Sequence, residues 1–113
     1  MRKKHYHKKL IRDKIPEFIR ESGDEFETRV MKDKEFEKEL KKKLVEEAKE
    51  LLKAPKDELL NELADVIQLV KSIASYYKIS FSEVQKYQNI KRKKKGEFAK
   101  KLFLIWSTQK SGK

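Results

Sequence analysis

Residues 44–66 read LVEEAKELLKAPKDELLNELADV, and this stretch decides the fold. Two apolar-periodic segments flank Pro55. The residue before a proline avoids the helical region, so the first segment ends at about Ala54. Asp57 is a favourable N-cap and restarts the helix on the other side. A link of about three residues makes the two helices antiparallel neighbours. The first is expected to begin after Asp33, with Phe36, Leu40, Leu44, Ala48, Leu51 and Leu52 as its apolar stripe. The second is expected to reach about Lys78, with Leu59, Leu60, Leu63, Val66, Ile67, Leu69, Val70, Ile73 and Tyr77 on a wider arc. It is therefore expected to be the most buried helix.

The same stretch places carboxylates where they are costly. At about 100° per residue, Glu47 falls inside the apolar stripe of its helix and Glu50 on the rim, while Glu46 points outward. On the following helix Glu62 falls between Leu69 and Ile73, and Asp65 just past Leu69. Each helix thus carries an i, i+3 acidic pair at the edge of its core face, with Cβ atoms about 5–6 Å apart. Counted from the Pro55 link, Glu50 faces Glu62 and Glu47 faces Asp65, each couple level to about 1.5 Å. A lone Glu on a Lys/Glu-rich helix is ordinarily solvated and paired, here with Lys43, Lys49 or Lys53. Four gathered at one apolar seam repel one another and lose hydration. Either they are protonated or a cation neutralises them. All-oxygen ligands suit Mg²⁺, or Mn²⁺, and Mg²⁺ favours phosphate oxygens for its remaining positions.

Working outward, Gly and Pro number only three and two, which favours long regular elements. A short helix is expected from near Asp13, with Asp13 as N-cap, Pro16 in the first turn and Gly23 as the stop. Phe26, Thr28 and Val30 alternate as a short extended piece. Ser80 and Glu83 form a capping box, with Ile79 and Val84 as a hydrophobic staple, for a last helix running towards Lys95 and stopping at Gly96. The fold class is all-α, with four to five helices around the central hairpin. A chain of 113 residues suits one domain, 1–113, with residues 1–8 and 107–113 as flexible tails.

Composition narrows the function. Cysteine is absent, which excludes disulfides, thiolate metal sites and a Cys nucleophile. The longest apolar run, Leu102-Phe103-Leu104-Ile105-Trp106, is far short of the about 20 residues a membrane span needs. A cytoplasmic protein is expected. No GxxxxGK[ST] loop is present, which excludes P-loop chemistry. The formal net charge is +11, but residues 1–14 carry +6 and residues 91–113 carry +8, leaving the middle at −3. An acidic centre between basic ends suits an anionic ligand held through a metal ion. A chain of this size buries only about two-thirds of its unfolded surface, so its core is expected to be completed by a homodimer or homotetramer. His5 and His7 read as a solvated tail pair. The Lys93-Lys94-Lys95 run reads as a solvated helix end or a grip on nucleic acid phosphates, and Phe98, Phe103 and Trp106 as core or subunit packing.

The block Leu44-Val45-Glu46-Glu47-Ala48-Lys49-Glu50-Leu51, followed by Asn61-Glu62-Leu63-Ala64-Asp65-Val66, resembles the EExxE…ExxD signature of the all-α nucleoside triphosphate pyrophosphohydrolases. This is the MazG-like superfamily, with the phosphoribosyl-ATP pyrophosphohydrolases and dimeric dUTPases. Lys9-Leu10-Ile11-Arg12-Asp13-Lys14-Ile15-Pro16-Glu17 resembles the opening of its short house-cleaning branch, as does Thr28-Arg29-Val30. Lys91-Arg92…Gly96…Phe98…Phe103-Leu104 is similar to that branch's ending. Lys95 stands where the branch carries Arg, and Glu97 where it carries a second Gly. Leu69 stands where the histidine-biosynthesis branch carries His, which weighs against phosphoribosyl-ATP as substrate.

The resemblance implies Mg²⁺-dependent cleavage of a nucleoside triphosphate between the α- and β-phosphates, giving monophosphate and pyrophosphate. It implies Glu47, Glu50, Glu62 and Asp65 as metal ligands, and Glu46 or Glu47 as the base. Arg12, Lys14, Lys91, Arg92 and Lys95 are the candidates for phosphate contact, where developing charge must be stabilised. The alternative from another class is a small basic nucleic-acid-binding or regulatory module whose acidic hairpin is structural.

Overall fold

The computed structural model describes residues 3–108. Of the expected tails, residues 1, 2 and 109–113 lie outside the described residues. Four α-helices follow one another: α1 Ile15–Glu21, α2 Asp33–Lys53, α3 Leu59–Tyr76 and α4 Phe81–Lys95. Among the described residues there is no strand, and the fold class is all-α. No helix is long and apolar enough to cross a membrane. The chain divides into two units, Met1–Ser80 and Phe81–Lys113.

In the first unit α2 and α3 form the expected antiparallel hairpin. Ala54, the residue before Pro55, is extended (ψ 131°) and ends α2. The far end is pinned by aromatic side chains. The Phe36 and Tyr76 rings meet edge to face at 5.9 Å. Tyr76 Oη donates to the Asp33 carbonyl at 3.2 Å, and Tyr77 Oη to Glu37 Oε2 at 2.5 Å.

Among the described residues, the buried apolar side chains are Leu40 on α2, and Leu69 and Ala74 on α3. Fully burying a leucine contributes about 1.5–3 kcal/mol. The expected core is wider than the observed one. On α3, Leu60 is 81% exposed, and Leu59, Leu63 and Ile67 are also exposed. On α2, Ala48 and Leu52 point outward. The reason is geometric: one helix can cover only one stripe of its partner, and the rest of a broad apolar arc stays in contact with water.

Two of the helix starts, those of α1 and α3, depart from expectation. Asp13 does not cap α1; Lys14 occupies that position with no side-chain cap, and Pro16 sits in the first turn as expected. Asp57 does not cap α3 either. It lies within a 3₁₀ turn, Lys56–Glu58, which leads into α3 through Glu58 without a side-chain cap. The tight turn consumes the residues that a capped start would have used. α4 begins at Phe81, directly after Ser80. The piece around Phe26, Thr28 and Val30 is irregular, and Thr28 and Val30 are exposed. It has no neighbouring strand to supply ladder hydrogen bonds. Two contacts restrain it: the Arg20 guanidinium over the Phe26 ring at 5.1 Å, and Arg29 paired through both nitrogens with Glu35 at 2.9 and 2.6 Å. That paired hydrogen bond holds the Glu35 carboxyl below its usual range.

The helix ends are well specified. Gly23 (φ +80°) follows α1 as expected. Asp24 N–H reaches the Ile19 carbonyl at 3.2 Å and Gly23 N–H the Arg20 carbonyl at 3.0 Å, a Schellman motif. The end of α3 repeats it, with Ile79 N–H on Ala74 O at 2.8 Å and Lys78 N–H on Ser75 O at 2.9 Å. There the left-handed residue is Lys78, at φ +61°. A side chain in that region costs roughly 1–2 kcal/mol, against about 0.5–1 kcal/mol of extra unfolded-state entropy for glycine. Lys78→Gly is therefore expected to stabilise the fold by up to about 1 kcal/mol. Urea denaturation checks this, and an unchanged or lower midpoint refutes it.

The second unit holds α4 and the segment after it. α4 ends with Arg92, Lys93, Lys94 and Lys95 in its last turn, and Gly96 (φ +85°) stops it. Beyond it, Phe98, Leu102, Phe103, Leu104, Ile105 and Trp106 are all at least three-quarters exposed. Of the two packing roles expected for Phe98, Phe103 and Trp106, core or subunit, packing into the chain's own core is not met.

Candidate metal centre

The register of the hairpin brings three of the four expected carboxylates together. One oxygen each from Glu47, Glu62 and Asp65 lie within 4.8 Å of one another, and all three residues are half-buried. Glu47 comes from α2; Glu62 and Asp65 come from α3, one helical turn apart. Glu50 is exposed and is not one of that close set, although its charge reaches Glu62.

Glu62 is the most constrained member. Among the described residues, its Oε2 is the buried side-chain polar atom without a hydrogen-bond partner. Burial pushes the Glu62 carboxyl above its usual range. Next comes Glu47, which can accept a hydrogen bond only from the protonated acid, and then the charges of Glu47, Asp65 and Glu50. Each influence disfavours the anion. Asp65 differs, because Arg12 Nη2 donates to its Oδ1 at 2.7 Å. Three carboxylates, one with an unpartnered oxygen, form a set of oxygen ligands able to hold a metal ion. They offer no nitrogen or sulfur for a softer one.

The other expected site residues belong to different elements. Glu46 is exposed and lines a small cavity with Lys8, Lys9, Leu10, Glu39, Lys42 and Lys43. Lys14 is exposed at the N-cap of α1. Lys91, Arg92 and Lys95 lie on α4 in the second unit. There Lys91 Nζ sits over the Tyr87 ring at 5.8 Å, and Arg92 Nη1 is 3.7 Å from Glu97 Oε2. A wider open groove of ≈ 390 Å³, lined by Phe36, Gln68, Lys71, Ser72, Ser75 and Tyr76, holds no carboxylate. The Arg12–Asp65 pair escaped sequence reasoning, since no local periodicity links residues 53 positions apart.

No family model matches the chain, and neither a curated protein nor a solved structure does.

A carboxyl held above its usual range lets the folded chain bind more protons than the unfolded one. Stability then rises as pH falls through the raised Glu62 value, and the gain is complete below the ordinary carboxylate range. Glu62→Gln removes the repelled anion. It is expected to raise the melting temperature at pH 7 and to flatten its rise on acidification from pH 7 towards 4. Thermal unfolding at several pH values checks this; a variant less stable than wild type at pH 7 contradicts the electrostatic account.

Proposed function

We propose that this protein is a divalent-cation-dependent nucleoside triphosphate pyrophosphohydrolase, cleaving the α–β phosphoanhydride to release monophosphate and pyrophosphate. The observation that carries the reading is the convergence of Glu47, Glu62 and Asp65, with the Glu62 Oε2 atom unpartnered. The EExxE…ExxD pattern and the KLIRDKIPE opening support it.

Mg²⁺ in such a set neutralises phosphate charge and lowers the pKa of water. The chain's own residues do the rest. Glu47, Glu62 and Asp65 hold the cation, and exposed Glu50 extends the acidic edge towards solvent. A water adds to phosphorus as the bridging oxygen departs with the pyrophosphate, and a carboxylate takes the water's proton. Of Glu46 and Glu47, Glu47 is the better base, because Glu46 faces a different, lysine-lined cavity. Arg12, at the edge of the set, is the nearest basic group for a phosphate; Lys14, Lys91, Arg92 and Lys95 are further candidates. Nucleotide-pool house-cleaning is the role that fits a small chain built around one such site.

Wild-type protein with Mg²⁺ and a panel of canonical and damaged nucleoside triphosphates is expected to release pyrophosphate. Glu47→Gln is expected to lower the rate by at least about 100-fold with circular dichroism unchanged. Full activity in Glu47→Gln, or none in wild type across the panel, rejects the assignment. The basic last turn of α4 favours a second reading, a polyanion-binding module. That reading predicts salt-sensitive RNA or DNA affinity with no pyrophosphate release.

The same proposal extends to assembly. The exposed apolar arc of α3 (Leu59, Leu60, Leu63 and Ile67), together with Leu52 of α2, supports a homodimer or homotetramer. Light scattering at micromolar concentration is expected to give two or four times 13.6 kDa. A monomer at every concentration tested refutes this.

A further inference from the structure

The N-terminal arm runs along α2 and then reaches across to α3. Lys8, Lys9 and Leu10 line a cavity against Glu39, Lys42, Lys43 and Glu46 of α2. Two residues beyond Leu10, Arg12 meets Asp65. Its carbonyl accepts from Ile15 N–H at 3.1 Å, which ties the arm to the start of α1. Among the described residues, this is the ion pair made by the carboxylate set.

We propose that Arg12 and a divalent cation compete for Asp65, and that the guanidinium so displaced becomes the receptor for an anionic phosphate ligand. The proposal rests on the reading of Glu47, Glu62 and Asp65 as cation ligands, and it names how that site is regulated.

The argument is electrostatic and geometric. The contact uses one guanidinium nitrogen and one carboxylate oxygen, and the Arg12 side chain is 57% exposed. A single, solvent-washed ion pair is weakly held. A divalent cation shared by three carboxylates is attracted by all of them, whereas Arg12 has one partner. Two like charges cannot both sit on Asp65 at low cost. Guanidinium cannot leave by losing a proton, so it stays charged and must swing away. Its long side chain keeps it beside the carboxylates, where its planar donors match a phosphate. Cation entry thus unmasks the phosphate receptor. In the converse sense, Arg12 restrains the cation until a phosphate ligand draws it off.

The test uses the full chain and Mn²⁺, followed by electron paramagnetic resonance of the free ion. Arg12→Gln is expected to bind Mn²⁺ about two- to fivefold more tightly than wild type, the fold-change an exposed ion pair represents. In an Asp65→Asn background the same substitution is expected to change nothing. Arg12→Lys keeps the charge and is expected to stay near wild type. With Mn²⁺ in excess, inorganic tripolyphosphate is expected to bind Arg12→Gln several-fold more weakly. Unchanged or weaker Mn²⁺ binding by Arg12→Gln overturns the competition, and unchanged tripolyphosphate binding overturns the receptor role. If wild type binds no Mn²⁺ and releases no pyrophosphate, the functional reading has failed first. If it does both and Arg12→Gln shows no tightening, only the role given to Arg12 falls. Arg12 is exposed, so circular dichroism is expected to show the variants folded.

Discussion

Mutual repulsion among carboxylates at the seam of a two-helix hairpin is the constraint around which this unit is organised. Apolar packing of α2 on α3 sets the register, and the register forces Glu47, Glu62 and Asp65 to within 4.8 Å of one another. Burial, together with the neighbouring acids, then disfavours the Glu62 anion. The protein's own answer is partial: Arg12 reaches one of the three acids and leaves an oxygen of Glu62 without a partner.

The periphery limits how far the hairpin can relax. Tyr76 and Tyr77 fasten the open end, one to a backbone carbonyl of α2 and one to Glu37. Pro55 fixes the closed end by denying α2 another turn. The acids lie between these two restraints, so they cannot separate by sliding the helices without breaking one of them. Arg29 pairs with Glu35 in the first turn of α2 and ties the preceding segment to that helix.

How much of this was legible in the sequence depends on the range of the signal. The hairpin could be read because its cause is local: a 3.6-residue apolar period on both sides of a proline. Gly23 and Gly96 could be read as helix stops for the same reason. Asp57 misled because a 3₁₀ turn and a capped helix start share the same residue preferences. Leu52, Leu59 and Leu60 misled because periodicity shows which face is apolar but not how much of it one neighbour covers. The carboxylate cluster was legible in composition and height, but Glu50 shows that a wheel cannot place a rim residue inside or outside a pocket. Arg12 was legible only as a basic residue of interest. Its partner Asp65 is set by the path of an irregular arm, which no pattern encodes.

The segment after Gly96 has a consequence for handling the protein. Leu102 to Trp106 forms an exposed apolar run with no helical hydrogen bonding, and Lys100 and Lys101 precede it. Such a run is a template for intermolecular β-pairing, and adjacent like charges are what keep copies apart. Added salt shortens the range of that repulsion while leaving the apolar attraction in place. Colloidal behaviour in dilute buffer and in concentrated electrolyte should therefore diverge, with turbidity rising with ionic strength.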